Sequence, residues 1–311
     1  MTGRLYIDGH DAYTEFGMYI EAGGWSELLS MPPLKTLRYN DWHEEDGIEP
    51  DLAAPVLDSR EVTVRFACND TYNRFVGFRE LIADGAYHIF NSPAIQRAFR
   101  LRYLSENYSE ENGLLKISIR FADDFPIGTD WRNYRYQTPS SDMPRQYGYK
   151  LDDWYFSDFG IRVLSGTLQS VKKYPNAKLN LVRNITTQSG ADYDAQTVTF
   201  ASKDITINCL MTSPLISGLW RNYDSFLYNL ILPDARVLYV EELEQEFQCI
   251  YKSSQVSEFF PDAGKSWLRF RLVLTIIGSN KITDADIVLA SENSEVVYTE
   301  DNMDAIDMQP I

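Results

Sequence analysis

The chain has 311 residues, room for about two domains, and sets 45 acidic against 29 basic side chains for a formal charge of −16. This balance argues against a nucleic-acid-binding surface, because phosphate contacts need clustered Lys and Arg; an acidic wall past which a polyanion slides stays compatible. Three cysteines, Cys68, Cys209 and Cys249, stand far apart without a Cys-x-x-Cys pair, which speaks against a zinc cluster or a disulfide framework and for buried free thiols in a reducing compartment.

The opening "MTGRLYIDGHD" has no basic segment followed by an apolar one, and no apolar run approaches the ~20 residues of a membrane span. The expectation is synthesis in the cytoplasm and no membrane partner. "YTEFGMYIEAGG" follows at 13–24, then a long polar hairpin over about 36–60 centred on "NDWHEEDGIEPD". Its bunched carboxylates, Asp41, Glu44, Glu45, Asp46, Glu49 and Asp51, are of the type that holds Ca²⁺ or supplies an acid/base pair. A solvated hairpin tip turning at Gly47 is the plainer reading and the preferred one, with Trp42 marking a contact surface.

"REVTVRF" at 60–66 and "LLKISIRF" at 114–121 alternate as half-buried strands do. Between them, "DTYNRFVGFRELIADG" predicts a helix with Tyr72, Phe75, Phe78 and Ile82 on one face and Gly85 as its C-cap. A stretch rich in Pro, Ser and Arg over 126–147 reads as a connector. The pattern then starts again, with "FSDFGIRVLSGT" at 156–167, a hairpin over about 179–203, and strands "DITINCL" at 204–210 and "WLRFRLVLTI" at 267–276. The helix between those strands, in "SPLISGLWRNYDSFLYNLIL", is expected to use Ser213 as N-cap and Pro214 in its first turn. Beyond Gly278 comes an acidic tail in which Asp284, Asp286, Glu292 and Glu295 have EF-hand spacing. Val288 and Leu289 stand where that loop needs an oxygen ligand and a glycine, so an acidic edge strand is expected instead.

The two halves match. Gly17 and Gly160 lie 143 positions apart, and the same offset gives ten identities between 6 and 63, among them Tyr6/Tyr149, Phe16/Phe159, Gly23/Gly166, Lys35/Lys178 and Gly47/Gly190. Average composition would give about three or four by chance. After the helices the offset drifts to 148, at Phe99/Phe247 and Tyr103/Tyr251. The fold predicted is mainly β, a β-sandwich or split barrel with one helix per domain, in two tandem duplicated domains at 1–125 and 148–278, joined by a linker at 126–147 and followed by a tail at 279–311.

Little in the sequence points to catalysis. The three histidines, His10, His43 and His88, all lie in the first half, and no Gly-x-Ser-x-Gly elbow or cysteine-protease signature accompanies them. "EAGGW" lacks the Lys-Ser/Thr of a phosphate loop. The second hairpin's "RNITTQSGADYD" keeps only Gly190 and Asp194 of the acidic stretch. No catalytic residue, metal or cofactor is expected, and the chain reads as a protein that is not an enzyme. The 20 Tyr, 16 Phe and 6 Trp raise carbohydrate stacking, although many fall on core alternation.

An opening strand and turn, an aromatic-flanked "DFG-hydrophobic-x-hydrophobic" segment, Pro-x-x-Lys, a long hairpin with a central Gly, a "[RK]-[ED]-[VI]-T-[VI]" strand and one helix together resemble the tail-tube domain of tailed phages and related injection machines. "YFSDFGIRV" at 155–163 and its sibling "YTEFGMYI" at 13–20 are similar in particular to the N-terminal belt domain of distal tail proteins. The repeat-motif residues are Phe16, Gly17, Lys35, Phe159, Gly160 and Lys178. The resemblance implies a structural component of a virion tail or phage-like particle, forming a ring at the distal tail or baseplate around the DNA channel. Partners would be other copies, as a trimer with pseudo-six-fold outline or a hexamer, and neighbouring tail-tube or baseplate proteins, with no sequence-specific nucleic-acid binding. It also implies inter-subunit hairpin tips at Trp42, His43, Glu44, Glu45, Asp46 and Gly47, and at Gln188, Ser189 and Gly190. The alternatives are a tandem β-sandwich binding module, for carbohydrate or as a cell-surface adhesin, and an enzyme using the carboxylates at 44–46.

Overall fold

The computed structural model describes residues 5–68, 72–111, 113–126, 137–178, 182–187, 189–193, 198–262 and 264–278. The acidic tail with its EF-hand-spaced carboxylates, Gln188, and residues 127–136 of the connector lie outside the described residues.

In the first half, β1 (Tyr6–Ile7), β2 (His10–Asp11), α1 (Ala12–Phe16), β3 (Met18–Ile20), α2 (Ser26–Leu29) and the hairpin strands β4 (Tyr39–Asn40) and β5 (Glu49–Pro50) precede β6 (Arg60–Cys68). Then come α3 (Tyr72–Ile82), β7 (Tyr87–Ser92), β8 (Arg97–Glu111) and β9 (Leu114–Asp123). The second half runs β10 (Tyr149–Leu151), β11 (Trp154–Tyr155), a 3₁₀ turn (Phe156–Phe159), β12 (Ile161–Val163), α4 (Thr167–Lys172), β13 (Val182–Arg183) and β14 (Asp192–Tyr193). It ends with β15 (Lys203–Ser213), α5 (Ile216–Leu230), β16 (Arg236–Val240), a 3₁₀ turn (Glu241–Leu243), β17 (Gln245–Phe260) and β18 (Ser266–Ile276).

Each half makes a seven-stranded sheet, ordered β2-β1-β7-β8-β9-β6-β3 and β11-β10-β16-β17-β18-β15-β12. The two orders are the same, element for element, and every pairing is antiparallel. The mainly β expectation holds, and the four alternating segments form most of β6, β9, β15 and β18. Alternation works because one side of each strand is core: Val62, Val64 and Phe66 on β6 and Ile205, Ile207 and Cys209 on β15 are buried. The sheets bend where the longest strand changes partner. β8 pairs with β7 up to Arg102 and with β9 from Arg102 onward, and β17 makes the same exchange at Cys249. A bulge follows each exchange, between Tyr103 and Ser105 and between Tyr251 and Ser253, the irregularity that lets a strand turn a corner.

The repeated motif is a capped helical turn rather than one strand. In both copies a short helical segment ends on a left-handed glycine, Gly17 at φ 66° and Gly160 at φ 72°, before a three-residue strand. Glycine takes this backbone without steric cost, and a Cβ on Gly160 would stand 2.7 Å from the Thr212 carbonyl oxygen. The preceding aromatic seats the long helix: Phe16 meets Phe78 of α3 at 5.8 Å, and Phe159 meets Phe226 of α5 at 5.2 Å.

Three local expectations need correction. Ser213 is not an N-cap: it ends β15, still paired with Ser266, and α5 starts at Ile216 after an extended Leu215. Pro214 disfavours a helical backbone in the residue before it, so the strand runs on to Ser213. Gly85 lies in the turn after α3, which ends at Ile82. Tyr6 and Tyr149 are not equivalent either, because Ile7 and Leu151 open the matching hairpins. The offset there is 144, and one residue is lost before Gly160.

Among the described residues no helix is long and apolar enough to cross a membrane, which leaves strand-built barrels aside.

Candidate interaction surface

The sequence of the first hairpin favours a tight turn, and the structure shows what the turn faces. Gly47, at φ 76°, is buried against the second half of the same chain, where an added Cβ would lie 2.0 Å from the Ile277 carbonyl oxygen. Its N–H donates to the Phe200 carbonyl (2.7 Å) and the Ile48 N–H to that of Ile277 (3.0 Å). Phe200 N–H donates to Asp46 Oδ1 at 2.8 Å, and Thr199 Oγ1 to the His43 carbonyl at 2.6 Å. The hairpin tip is therefore docked where the chain enters β15 and leaves β18, at the end of the second sheet, by two backbone bonds and two from side chains.

Lys178 is the centre of this contact. Its ammonium is buried and reaches three acceptors of the hairpin: the Trp42 carbonyl (2.6 Å), the Gly47 carbonyl (2.8 Å) and Asp41 Oδ1 (2.6 Å). Three acceptors match the three protons of an ammonium, and each bond is charge-assisted, a class that contributes about 1.5–3 kcal/mol. Of the acidic stretch, Asp41 and Asp46 face the second half through these bonds, whereas Glu44 and Glu45 remain exposed. Trp42 stays half exposed, its Nε1 donating to Glu49 Oε2 at 3.2 Å. That bond, with one from Asn40, holds Glu49 below the usual carboxylate range.

A second patch extends the contact. The end of α2 seats on β17 and α5 of the second half: Tyr223 Oη donates to the Leu29 carbonyl (2.7 Å), Tyr251 Oη to that of Met31 (3.1 Å) and Val256 N–H to Ser30 Oγ (2.8 Å). Burial drives both phenols upward in pKa, keeping them protonated as donors. Trp220 Nε1 donates to the Ile95 carbonyl at 2.6 Å, and Arg97 lies 4.4 Å over the Trp220 ring while pairing with Asp224 at 2.6 Å. None of these side chains carried a chemical signature in the sequence. Only the Tyr103/Tyr251 identity pointed at one of them.

The other sequence candidates are placed as follows. Trp42, His43, Asp46 and Gly47 of the first hairpin meet the second half of their own chain, and Glu44 and Glu45 stand exposed beside them. Ser189 and Gly190 are exposed, and a Cβ on Gly190 would meet nothing within 4 Å. Lys35, the counterpart of Lys178, is exposed; its N–H donates to the Val56 carbonyl just as that of Lys178 donates to Thr199. Of the histidines, His10 sits exposed beside Glu15, and His88 is buried between two carboxylates. His88 lies between Asp8 (2.7 Å) and Asp84 (2.9 Å). Burial lowers its pKa, but the bonds to Asp8 and Asp84 outweigh that and raise it. Its counterpart is Arg236, which donates to Asp152 at 2.9 Å; Asp8 and Asp152 also take the next N–H on β7 and β16, each at 2.8 Å. Both halves thus pin the opening hairpin with a carboxylate and a basic side chain.

The three cysteines are buried thiols, and burial pushes that of Cys249 up to about 12. Among the described residues no group of three or more His, Cys, Asp and Glu could hold a metal. An open groove of about 300 Å³ lies beside β12 and β18, lined in part by Asn208, Arg269 and Arg271; Arg269 is paired there by Glu258 at 3.4 Å.

No family model matches the sequence, and no curated protein matches it. Among solved structures the chain is similar to the SPP1 Dit (gp 19.1) protein, described as a paradigm of hub adsorption apparatus in Gram-positive infecting phages. The identity is 10% and the TM-score 0.33, over 88% of this chain and 98% of that one.

Proposed function

We propose that the chain is a structural component of a phage tail or phage-like injection device, forming a ring at the distal tail or baseplate around the DNA channel. The single observation that carries this reading is that one half of the chain docks its long hairpin into the next half of identical strand order. A contact between like domains that is not two-fold symmetric can repeat, and repetition closes rings or grows filaments. The "DFG"-type motif, present twice and seating a helix twice, is the sequence feature on which the tail-tube resemblance rests.

In this reading the halves, 1–125 and 148–278, arose by duplication, 126–147 links them, and three copies complete a ring of six domains, or six copies a larger one. The chain acts as a scaffold, not an enzyme, with neighbouring tail-tube or baseplate proteins stacked above and below. The charge of −16 suits a conduit for DNA, because a lumen of like charge repels phosphate where a basic one would bind it.

Negative-stain imaging of the assembled species, sized by native mass spectrometry, tests the proposal. Rings with a central hole wide enough for a DNA duplex, with three or six chains, are expected. Compact oligomers without a channel overturn the tail reading. A glycan bound by a chain that forms no ring would support the binding-module alternative instead.

A further inference from the structure

The contact between the halves uses two surfaces, a donor on the first half (hairpin tip and end of α2) and an acceptor on the second (Lys178, Thr199, α5 and β17). Because the halves share one strand order, each surface has a counterpart, and among the described residues that counterpart is open. The correspondence is set by register. Arg60 faces Asp123 where Lys203 faces Ile276, so Tyr108, opposite Ile117, matches Val256, opposite Phe270. Phe78 and Phe226 sit on the paired motif aromatics, so Tyr72, six positions before Phe78, matches Trp220.

The exposures then decide the matter. On the acceptor, Trp220 is 6% and Val256 2% exposed, whereas Tyr72 is 46% and Tyr108 50% exposed. Val56, which matches buried Thr199, is exposed, as is Lys35. On the donor, Met31 is 2% exposed and its match, Tyr174, is 55% exposed. Gly47 is buried and Gly190 open. The first half thus carries an uncovered acceptor and the second half an uncovered donor. Charge favours their union: Lys173 takes the place of Ser30, whose Oγ meets the Val256 N–H, and exposed Glu110 lies beside Tyr108 on the same face of β8, whereas Glu106 on its other side is paired with Arg79 at 3.2 Å.

We infer that a second copy of this chain covers these surfaces head to tail. The donor of its second half (Lys173, Tyr174 and Gly190) seats on the acceptor of the first half (Lys35, Val56, Tyr72 and Tyr108). Gly190 presents its carbonyl to Lys35 as Gly47 presents its own to Lys178. The contact is heterologous: each copy gives one face and receives on the other. This inference rests on the comparison of the halves and stands apart from the tail reading, since head-to-tail association is possible without a DNA channel.

Sedimentation velocity on the full chain and two surface variants tests it. The wild type is expected to associate beyond a dimer as concentration rises. Tyr174→Glu spoils only the donor and Tyr72→Glu only the acceptor, and each alone weakens association by about 30-fold or more, as loss of a central aromatic does. Mixed one to one, the two variants still share one intact donor and one intact acceptor, so they form a 1:1 heterodimer that grows no further. Thermal unfolding checks that each variant is folded, and Tyr108→Glu replaces Tyr72→Glu if that one is not. A wild type that stays monomeric at all concentrations, association indifferent to both variants, or no heterodimer on mixing would each overturn the inference. Heterodimers from a protein whose wild type forms no channel would sustain it while removing the tail reading.

Discussion

Lys35 and Lys178 are the same residue at the same place in two copies of one topology, and they lead different lives. Lys178 is buried with three acceptors around its ammonium, and Lys35 is exposed. Nothing in either half's own fold makes the difference. It comes from what lies opposite, the hairpin of the first half in one case and, among the described residues, no such hairpin in the other. A residue repeated in a tandem protein can therefore be conformationally alike and energetically unlike, and a stability experiment on the isolated chain reads only the covered copy.

Four tests break or sharpen this comparison. The largest effect is expected where the halves differ in burying an acid. Arg60 pairs with Asp123 at 2.9 Å and also reaches the Leu28 carbonyl at 2.9 Å. Lys203 reaches the matching carbonyls, Val171 at 2.6 Å and Lys173 at 2.8 Å, with a hydrophobic Ile276 where Asp123 stands. Burial raises the Asp123 pKa even beside Arg60. Arg60→Met strands that carboxylate and should cost about 3–5 kcal/mol in urea unfolding, whereas Lys203→Met should cost less. Equal losses would mean that the Asp123 pair contributes nothing specific.

Next come the hairpin glycines. Gly47→Ala meets both a left-handed backbone and the Ile277 carbonyl 2.0 Å away, and should cost more than about 3 kcal/mol. Gly190→Ala meets the backbone penalty alone, about 1–2 kcal/mol. The lysines follow: Lys178→Met should lose about 2–3 kcal/mol by removing a buried charge-assisted donor, against less than about 0.5 kcal/mol for Lys35→Met at low protein concentration. Matching losses at these two positions would show that the hairpin does not hold the halves together in solution.

The smallest effect is a difference in pH response. His88 and Arg236 perform one task, but only the histidine titrates near neutrality. With its folded pKa raised above the unfolded value of about 6.5, the stabilisation by His88 is complete below that value and lost as pH rises through the folded pKa. His88→Arg should flatten the pH dependence of the melting temperature between about pH 6 and 8, while Arg236→His should add a second dependence of the same sign. A wild-type profile already flat in that window would show that His88 is not protonated in the fold.

Much of this was legible because it depends on local chemistry. The strands at β6, β9, β15 and β18 announce themselves because one face must be apolar and the other not. Gly17, Gly160, Gly47 and Gly190 were findable because a left-handed turn selects glycine at each copy. The 143-residue offset pointed to two like halves before any contact was known. What failed were boundaries governed by neighbours: Ser213 is a serviceable cap by itself, but the ladder to Ser266 and the following proline keep it extended.

The sequence by itself thus determined the fold class, the repeat and the residues that shape each turn, since these follow from periodicity and backbone sterics acting over a few positions. Only the tertiary structure decided that the first hairpin lands on the second half, that Tyr223 and Tyr251 hold the end of α2 there while Trp220 holds the Ile95 carbonyl, and that Tyr72 and Tyr108 are left open. Those facts join positions more than a hundred residues apart, and no local pattern encodes which of two equal surfaces finds a partner within its own chain.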